Sequence, residues 1–116
     1  SFVNTEKVML NMYSEKKNMF SGNTSNGVVV TNGDFTKSEM NKMASMAQDG
    51  YGRAIRPAHS MFDGDTIFTM ATGKVKSDLS VAGFLAAKVV ERAIVRAIKN
   101  ADSVLGYRSY KDIWTA

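Results

Sequence analysis

The chain has 116 residues, 44% of them hydrophobic, which suffices for one compact domain with a modest core. It contains no cysteine, which excludes disulfides, thiol catalysis and cysteine-based zinc sites, and its single histidine argues against a metal site. The net charge is +4, but the cations are scattered, and no basic run with interleaved aromatic residues indicates nucleic-acid binding.

The first part of the chain contains one predicted strand. Residues 1–20 are mixed in composition, and their secondary structure stays ambiguous. Residues 21–26 are rich in Ser, Gly and Asn, which is typical of a linker. Residues 27–31 are apolar and largely β-branched, which predicts a strand, and their lack of alternation predicts burial on both faces. A turn is predicted at residues 32–34.

A helix is predicted next, because Thr36 and Glu39 form a capping box in which each side chain satisfies a backbone amide of the other residue. The helix should pause at Gly50 or Gly52, or continue to residue 56, and Pro57 must end it. The apolar residues at helical spacing are Met40, Met43, Ala44 and Ala47.

A second strand is predicted at residues 66–72, followed by a turn at residues 73–77. Ser77 or Asp78 can cap a long helix through Leu105, where Gly106 fits a helix stop. This helix has one polar stripe, so we expect it to be largely covered. The order strand, helix, strand, helix indicates an α/β fold, although two strands do not make a stable sheet alone.

Reactive side chains precede both predicted strands. Thr24 stands before the first strand, and Asp63 and Asp65 flank Gly64 before the second. If the two strand starts meet at one end of a sheet, the arrangement suits an N-terminal-nucleophile hydrolase. There, chain cleavage frees the threonine amine to act as the base. Its reference pKa of about 8 lets the amine accept the hydroxyl proton. Taken separately, the same residues also fit a plain threonine at a strand start and an Asx turn.

A longer pattern surrounds these residues. Asn23 and Thr24 precede an apolar strand, a helix follows, and residues 56–66 read RPAHSMFDGDT. In this the chain resembles the L-aminopeptidase/D-esterase (DmpA) family, and within it the nylon-oligomer (6-aminohexanoate oligomer) hydrolases. The resemblance implies an α-β-β-α sandwich to which this chain contributes only the strand-helix-strand-helix part. It also implies two regions: the end of an upstream segment with a linker (1–23), and a nucleophile-bearing domain like the family's β-subunit (24–116).

The resemblance implies roles for single residues. Thr24 would be the nucleophile, released by self-cleavage between Asn23 and Thr24, and the two aspartates would orient it. No metal or organic cofactor is implied. The possible supporting residues are His59 and Arg56. We predict that His59 fixes its loop by hydrogen bonds, with a triad of Ser60, His59 and Asp63 as the less favoured alternative. Arg53 and Arg56 fit carboxylate binding, pairing with Asp63 or Asp65, or a solvated helix end.

These observations predict an amide-bond hydrolase, either an aminopeptidase or an amino-acid-oligomer amidohydrolase, without a cofactor. The alternative is a non-catalytic α/β interaction domain that kept the fold. We expect the chain alone to stay uncut and inactive, because further catalytic groups lie upstream in the family. The expected partners are the upstream segment of the same precursor, further copies in a homo-oligomer, and a small peptide or amino-acid-oligomer substrate. No signal peptide and no apolar run of membrane-spanning length are visible, so we expect no membrane contact and a cytoplasmic location.

Overall fold

The structure, a computed structural model, describes residues 24–60 and 64–114. The elements in chain order are strand β1 (Asn26–Gly33), helices α1 (Lys37–Ala47) and α2 (Asp49–Ala54), strand β2 (Thr66–Val75), helix α3 (Leu79–Asn100) and helix α4 (Tyr110–Trp114). The predicted α/β class is confirmed. None of the described helices is long and apolar enough to cross a membrane.

β1 and β2 form a parallel pair whose first aligned residues are Asn26 and Thr66. Both predicted strands are confirmed, but both are longer than predicted. β2 continues through Gly73, which has a φ of 74°, so the turn predicted from residue 73 is displaced beyond Val75. The turn predicted from residue 32 is displaced likewise, because a register shift lets Gly33 align with Val75.

The predicted capping box at the start of α1 is confirmed. Thr36 Oγ1 accepts from the Glu39 amide at 3.2 Å, and Glu39 Oε1 accepts from the Thr36 amide at 2.9 Å. The predicted pause at a glycine is wrong, because the helix breaks at Gln48, between α1 and α2. Gly50 lies instead where α2 approaches α3, since a Cβ there would stand 2.6 Å from the Ala87 carbonyl oxygen.

The predicted cap of α3 is confirmed, with Asp78 Oδ1 accepting from the Val81 amide at 2.9 Å. The predicted end at Leu105 is wrong: α3 ends at Asn100, where the backbone becomes extended. Leu105 and Gly106, with φ values of 51° and 83°, form a separate turn beyond that end. Gly106 therefore supplies a left-handed turn position rather than a helix stop.

Helices α1, α2 and α3 cover one face of the sheet and enclose the core. Met43, Ala47 and Tyr51 follow one another at a spacing of four residues and are 1%, 0% and 2% exposed. They pack in one cluster with Ile67 of β2 and with Ala86 and Val90 of α3. The helical layer and the sheet are therefore one packed unit.

The opposite face of the sheet has no covering layer among residues 24–60 and 64–114. We call this surface the bare face; it consists of Val28, Val30, Phe68 and Met70, each between 61% and 65% exposed. Helix α3 also exposes an apolar stripe, the α3 stripe, formed by Val81, Leu85 and Val89. Within the described residues, one face of β1 and the α3 stripe are exposed, because these residues provide helices on one side only. Burial on both faces of β1 and a largely covered α3 therefore stay predictions.

Candidate active site

The parallel pairing brings the starts of both strands to the same edge of the sheet. Asn26 aligns with Thr66, and the Thr66 amide donates to the Ser25 carbonyl oxygen at 2.8 Å. Thr24 lies two residues before the first aligned residue of β1 and is exposed, whereas Asp65 lies directly before the first aligned residue of β2. Thr24 and Asp65 thus precede their strands at the same end of the sheet.

The carboxylate of Asp65 is held firmly, with 5% of its side chain exposed. Its Oδ2 accepts from the His59 backbone amide at 2.9 Å and lies 3.4 Å from His59 Nδ1. His59 has a φ of 59°, a left-handed conformation that a non-glycine residue adopts only at some cost. The Asp65 position is therefore fixed by both the backbone and the ring of the preceding loop.

The imidazole of His59 bridges two acceptors. Nε2 lies 3.3 Å from the Gln48 carbonyl oxygen, and Nδ1 faces the Asp65 carboxylate. A carbonyl and a carboxylate can only accept, so both contacts are hydrogen bonds only when each ring nitrogen carries a proton. These contacts place the ring between α2 and Asp65, which matches the loop-fixing arrangement expected for His59.

Tyr51, a residue that sequence reasoning did not select, lies beneath the two strand starts. Its hydroxyl donates to the Thr66 carbonyl oxygen at 2.9 Å, and the Ser25 carbonyl oxygen lies 3.4 Å away. Burial raises the pKa of the Tyr51 hydroxyl, and the negative charge of Asp65 raises this pKa further. The signal in the sequence was its spacing of four residues from Ala47, which puts a hydroxyl-bearing side chain on the core face of a helix.

Other predicted site residues are not brought into this cluster. Asn23 and Asp63 lie outside the described residues, so the cleavage site, the second carboxylate and the alternative triad stay predictions. Arg53 and Arg56 are exposed, and neither forms an ion pair with a carboxylate in residues 24–60 or 64–114. In the same residues, no group of three or more His, Cys, Asp or Glu side chains could hold a metal ion.

Comparison with known proteins matches this chain to one peptidase family and to several related hydrolases. The sequence profile of Peptidase family S58 matches residues 3–111. An uncharacterized aminopeptidase of Mycobacterium leprae is 38% identical over 76% of this chain and 28% of its own length. An uncharacterized aminopeptidase of Mycobacterium tuberculosis is 32% identical over 79% of this chain and 31% of its own length. A 6-aminohexanoate-oligomer endohydrolase of a Kocuria species is 29% identical over 67% of this chain and 26% of its own length. The chain thus spans less than a third of the length of these relatives.

Proposed function

Because this chain belongs to Peptidase family S58, we propose that the whole protein is an amide-bond hydrolase in which Thr24 acts as an N-terminal nucleophile. The observation that carries the proposal is the alignment of the two strand starts, with Thr24 exposed before β1 and the buried Asp65 carboxylate before β2. An exposed threonine is open to substrate, and a carboxylate fixed at the same end of the sheet can orient a charged amine.

Self-cleavage comes first in this mechanism. Thr24 Oγ attacks the Asn23 carbonyl carbon, its proton passes to the departing Thr24 nitrogen, and the acyl group moves from nitrogen to oxygen. Water then hydrolyses the ester, so residue 23 gains a carboxylate and Thr24 keeps its hydroxyl with a free amine. We assign residues 1–23 to the end of the upstream piece and residues 24–116 to the nucleophile-bearing domain.

Substrate hydrolysis follows the same chemistry with the free amine as base. The Thr24 amine accepts the hydroxyl proton while Oγ attacks the amide carbonyl, and that proton is delivered to the leaving amine. Water then cleaves the resulting ester and regenerates the threonine. Asp65, together with Asp63, would stabilise the ammonium that forms during the attack.

The proposed substrates are short linear amides. Relatives carry the names aminopeptidase and 6-aminohexanoate-oligomer endohydrolase. Peptides with a free amine, β-amino acid peptides and ω-amino acid oligomers are therefore the compounds to assay first. Release of a primary amine from each compound is the readout.

We further propose that the upstream segment of the same precursor covers the bare face and the α3 stripe. Between β1 and the α3 stripe lies an apolar groove of about 560 Å³, and β1 has one edge unpaired among the described residues. Exposed apolar surface of this extent is typical of a missing partner. The relative from Mycobacterium leprae extends well beyond the matched region, which supports a further segment of the same chain as the partner.

Sedimentation of residues 1–116 alone, compared with the full-length protein, tests this coverage. We expect the shorter chain to self-associate and the full-length protein to form a defined particle, which could itself be a homo-oligomer. A stable, compact monomer of residues 1–116 without exposed apolar surface would count against the proposal.

Intact-mass analysis of the full-length protein tests the nucleophile. Wild type should yield two pieces, the second beginning at Thr24, and Thr24→Ala should yield one. Ser25→Ala is the matched control, since it removes the neighbouring hydroxyl and should leave cleavage unchanged. A wild type that stays whole while hydrolysing substrate would overturn the mechanism. If it neither cleaves nor hydrolyses, the alternative of a non-catalytic interaction domain is favoured.

The carboxylates are tested separately by Asp63→Asn and Asp65→Asn in the full-length protein. Each substitution keeps the size of the side chain but removes its charge, so the fold should persist. Turnover should fall by at least about 10-fold, the lower range for loss of a positioned catalytic group. If both variants turn over substrate at the wild-type rate, neither carboxylate belongs to the mechanism.

A further inference from the structure

We infer that Tyr51 is a positioning residue for the reaction: its hydroxyl fixes the two strand starts relative to each other, and Gly27 provides the space that this hydroxyl needs. The inference rests on the proposed function, because it takes Thr24 as the nucleophile and Asp65 as its orienting carboxylate. The hydroxyl of Tyr51 bonds to backbone oxygens rather than to either group, and so acts through the backbone and through a neighbouring side chain.

The hydroxyl of Tyr51 lies at the first rung of the sheet. It donates to the Thr66 carbonyl oxygen at 2.9 Å, with the Ser25 carbonyl oxygen at 3.4 Å. The same Ser25 oxygen accepts from the Thr66 amide at 2.8 Å, so the phenol and one backbone hydrogen bond link the two strands at one point. Thr24 is bonded to Ser25, and Asp65 to Thr66, so a displacement at this point moves both groups.

The environment of Tyr51 keeps its hydroxyl in the donating form. Burial raises the pKa of this hydroxyl, and the Asp65 charge adds to the effect. Both neighbouring carbonyl oxygens can only accept, so the phenol must keep its proton to bind either. The phenol has one hydrogen to donate, and it forms the stronger hydrogen bond with the nearer carbonyl oxygen, that of Thr66. The longer contact, to the Ser25 carbonyl oxygen, is the weaker of the two.

A second connection runs from Tyr51 to Asp65 through a side chain. The rings of Tyr51 and His59 lie 5.9 Å apart between centroids, with their planes at 49°. His59 in turn holds the Asp65 carboxylate by its backbone amide at 2.9 Å. A change in the Tyr51 ring position therefore reaches Asp65 both through the Thr66 backbone and through His59.

Gly27 explains how the hydroxyl fits under the strand. A Cβ at this position would stand 2.8 Å from Tyr51 Oη, closer than ordinary contact, but 3.5 Å from Ile67 Cγ1 and 3.7 Å from Tyr51 Cζ. Gly27 does not adopt a left-handed backbone, so its conformation gives no reason for a glycine. The one close contact of an added methyl group is thus with the hydroxyl itself.

The test compares self-cleavage rate, kcat and KM of the full-length protein with those of Tyr51→Phe and Gly27→Ala. We expect both variants to lose at least about 10-fold in cleavage rate and in kcat, because small displacements of reacting groups are costly, while KM changes less than about 2-fold. The matched controls are Tyr107→Phe, at an 80% exposed tyrosine, and Gly52→Ala, where an added Cβ meets nothing within 4 Å. Both controls should keep the wild-type cleavage rate, kcat and KM.

The double variant Tyr51→Phe with Gly27→Ala separates positioning from general damage. Without the hydroxyl, the added methyl group has only ordinary contacts, so the double variant should match Tyr51→Phe alone rather than multiply the two losses. Thermal unfolding midpoints identify any variant whose rate falls because less protein is folded. Wild-type rates in Tyr51→Phe, losses that follow the folded fraction, or fully multiplicative losses would each overturn the inference. A wild type that neither cleaves nor hydrolyses would instead defeat the proposed function.

Discussion

The two faces of the sheet carry similar apolar side chains but have different surroundings. On the covered face, Val29 and Ile67 pack against the helical layer, whereas on the bare face Val28 and Phe68 are 63% and 61% exposed. The residue types are alike on the two faces. The exposure differs because the described residues supply a helical layer on one face only. The bare face is therefore where the proposed upstream segment would pack.

The largest expected effects come from truncating one side chain on each side of the sheet in the full-length protein. Met43→Ala should lower the free energy of unfolding by about 2–5 kcal/mol, because this core side chain is 1% exposed. Phe68→Ala should cost about 3–5 kcal/mol if the upstream segment covers the bare face. Denaturant titration measures both. A cost for Phe68→Ala below about 0.5 kcal/mol, typical of surface positions, would mean that the bare face is never covered.

A smaller expected change in the free energy of unfolding tests the close packing of α2 against α3 in the helical layer. Gly50→Ala should lower the free energy of unfolding by about 1–3 kcal/mol, because the added methyl group would meet the Ala87 carbonyl oxygen and the Val90 side chain. Gly52→Ala in the same helix should instead raise it by about 0.5–1 kcal/mol, through better helix propensity. Equal effects in a thermal or denaturant titration would show that α2 and α3 are not in tight contact.

The cap of α3 tests how much the stability of this helix, which packs on the covered face but also exposes the α3 stripe, depends on its first turn. Asp78→Ala removes the acceptor for the Val81 amide and should cost about 1 kcal/mol. Ser80→Ala, at an exposed position in the first turn, should stay within about 0.5 kcal/mol of wild type. If Asp78→Ala costs no more than the control, packing alone determines where α3 begins.

The smallest expected effect concerns the hydroxyl of Tyr51, on the covered face. Folding raises the pKa of Tyr51, so the folded state favours the protonated phenol. The resulting contribution to the free energy of unfolding is fully present at pH values below the reference pKa of about 10. It is lost as the pH rises from there through the folded-state pKa. Unfolding titrations at alkaline pH should therefore show a decline in stability that Tyr51→Phe reduces and Tyr107→Phe preserves. An unchanged decline in Tyr51→Phe would assign it to other groups.

Local signals in the sequence predicted the elements well. The capping box at Thr36 and the Asp78 cap are both confirmed, because each depends on residues within one turn of the helix. The β-branched run of β1 predicted a strand, and parallel pairing then placed Thr24 and Asp65 at one edge. The predictions from capping side chains and from the β-branched run were thus reliable, whereas the helix breaks predicted at Gly50 or Gly52 and at Gly106 were not.

Features that depend on contacts between residues far apart in the sequence could not be predicted from local patterns. The extension of β2 past Gly73 requires a register shift against β1, and the end of α3 at Asn100 has no local stop signal. Tyr51 was missed because its partners, Ser25 and Thr66, lie far from it in sequence. That the strand at Val28–Val30 and the long helix carry more apolar surface than this chain can cover was predicted from the sequence, but which face of the sheet stays exposed was not, since a strand with apolar residues on both sides looks the same whether or not its partner is present.

The position of Thr24 relative to the sheet has a consequence for maturation. The first aligned pair is Asn26 with Thr66, and the Ser25 carbonyl oxygen already accepts from β2, so the peptide bond before Thr24 lies outside the ladder. Breaking that bond would remove no rung and would separate none of the elements from β1 to β2. Under the proposed self-cleavage, the pairing of β1 with β2 would therefore be the same before and after the cut. The strand starts that carry Thr24 and Asp65 would need no rearrangement of this pair.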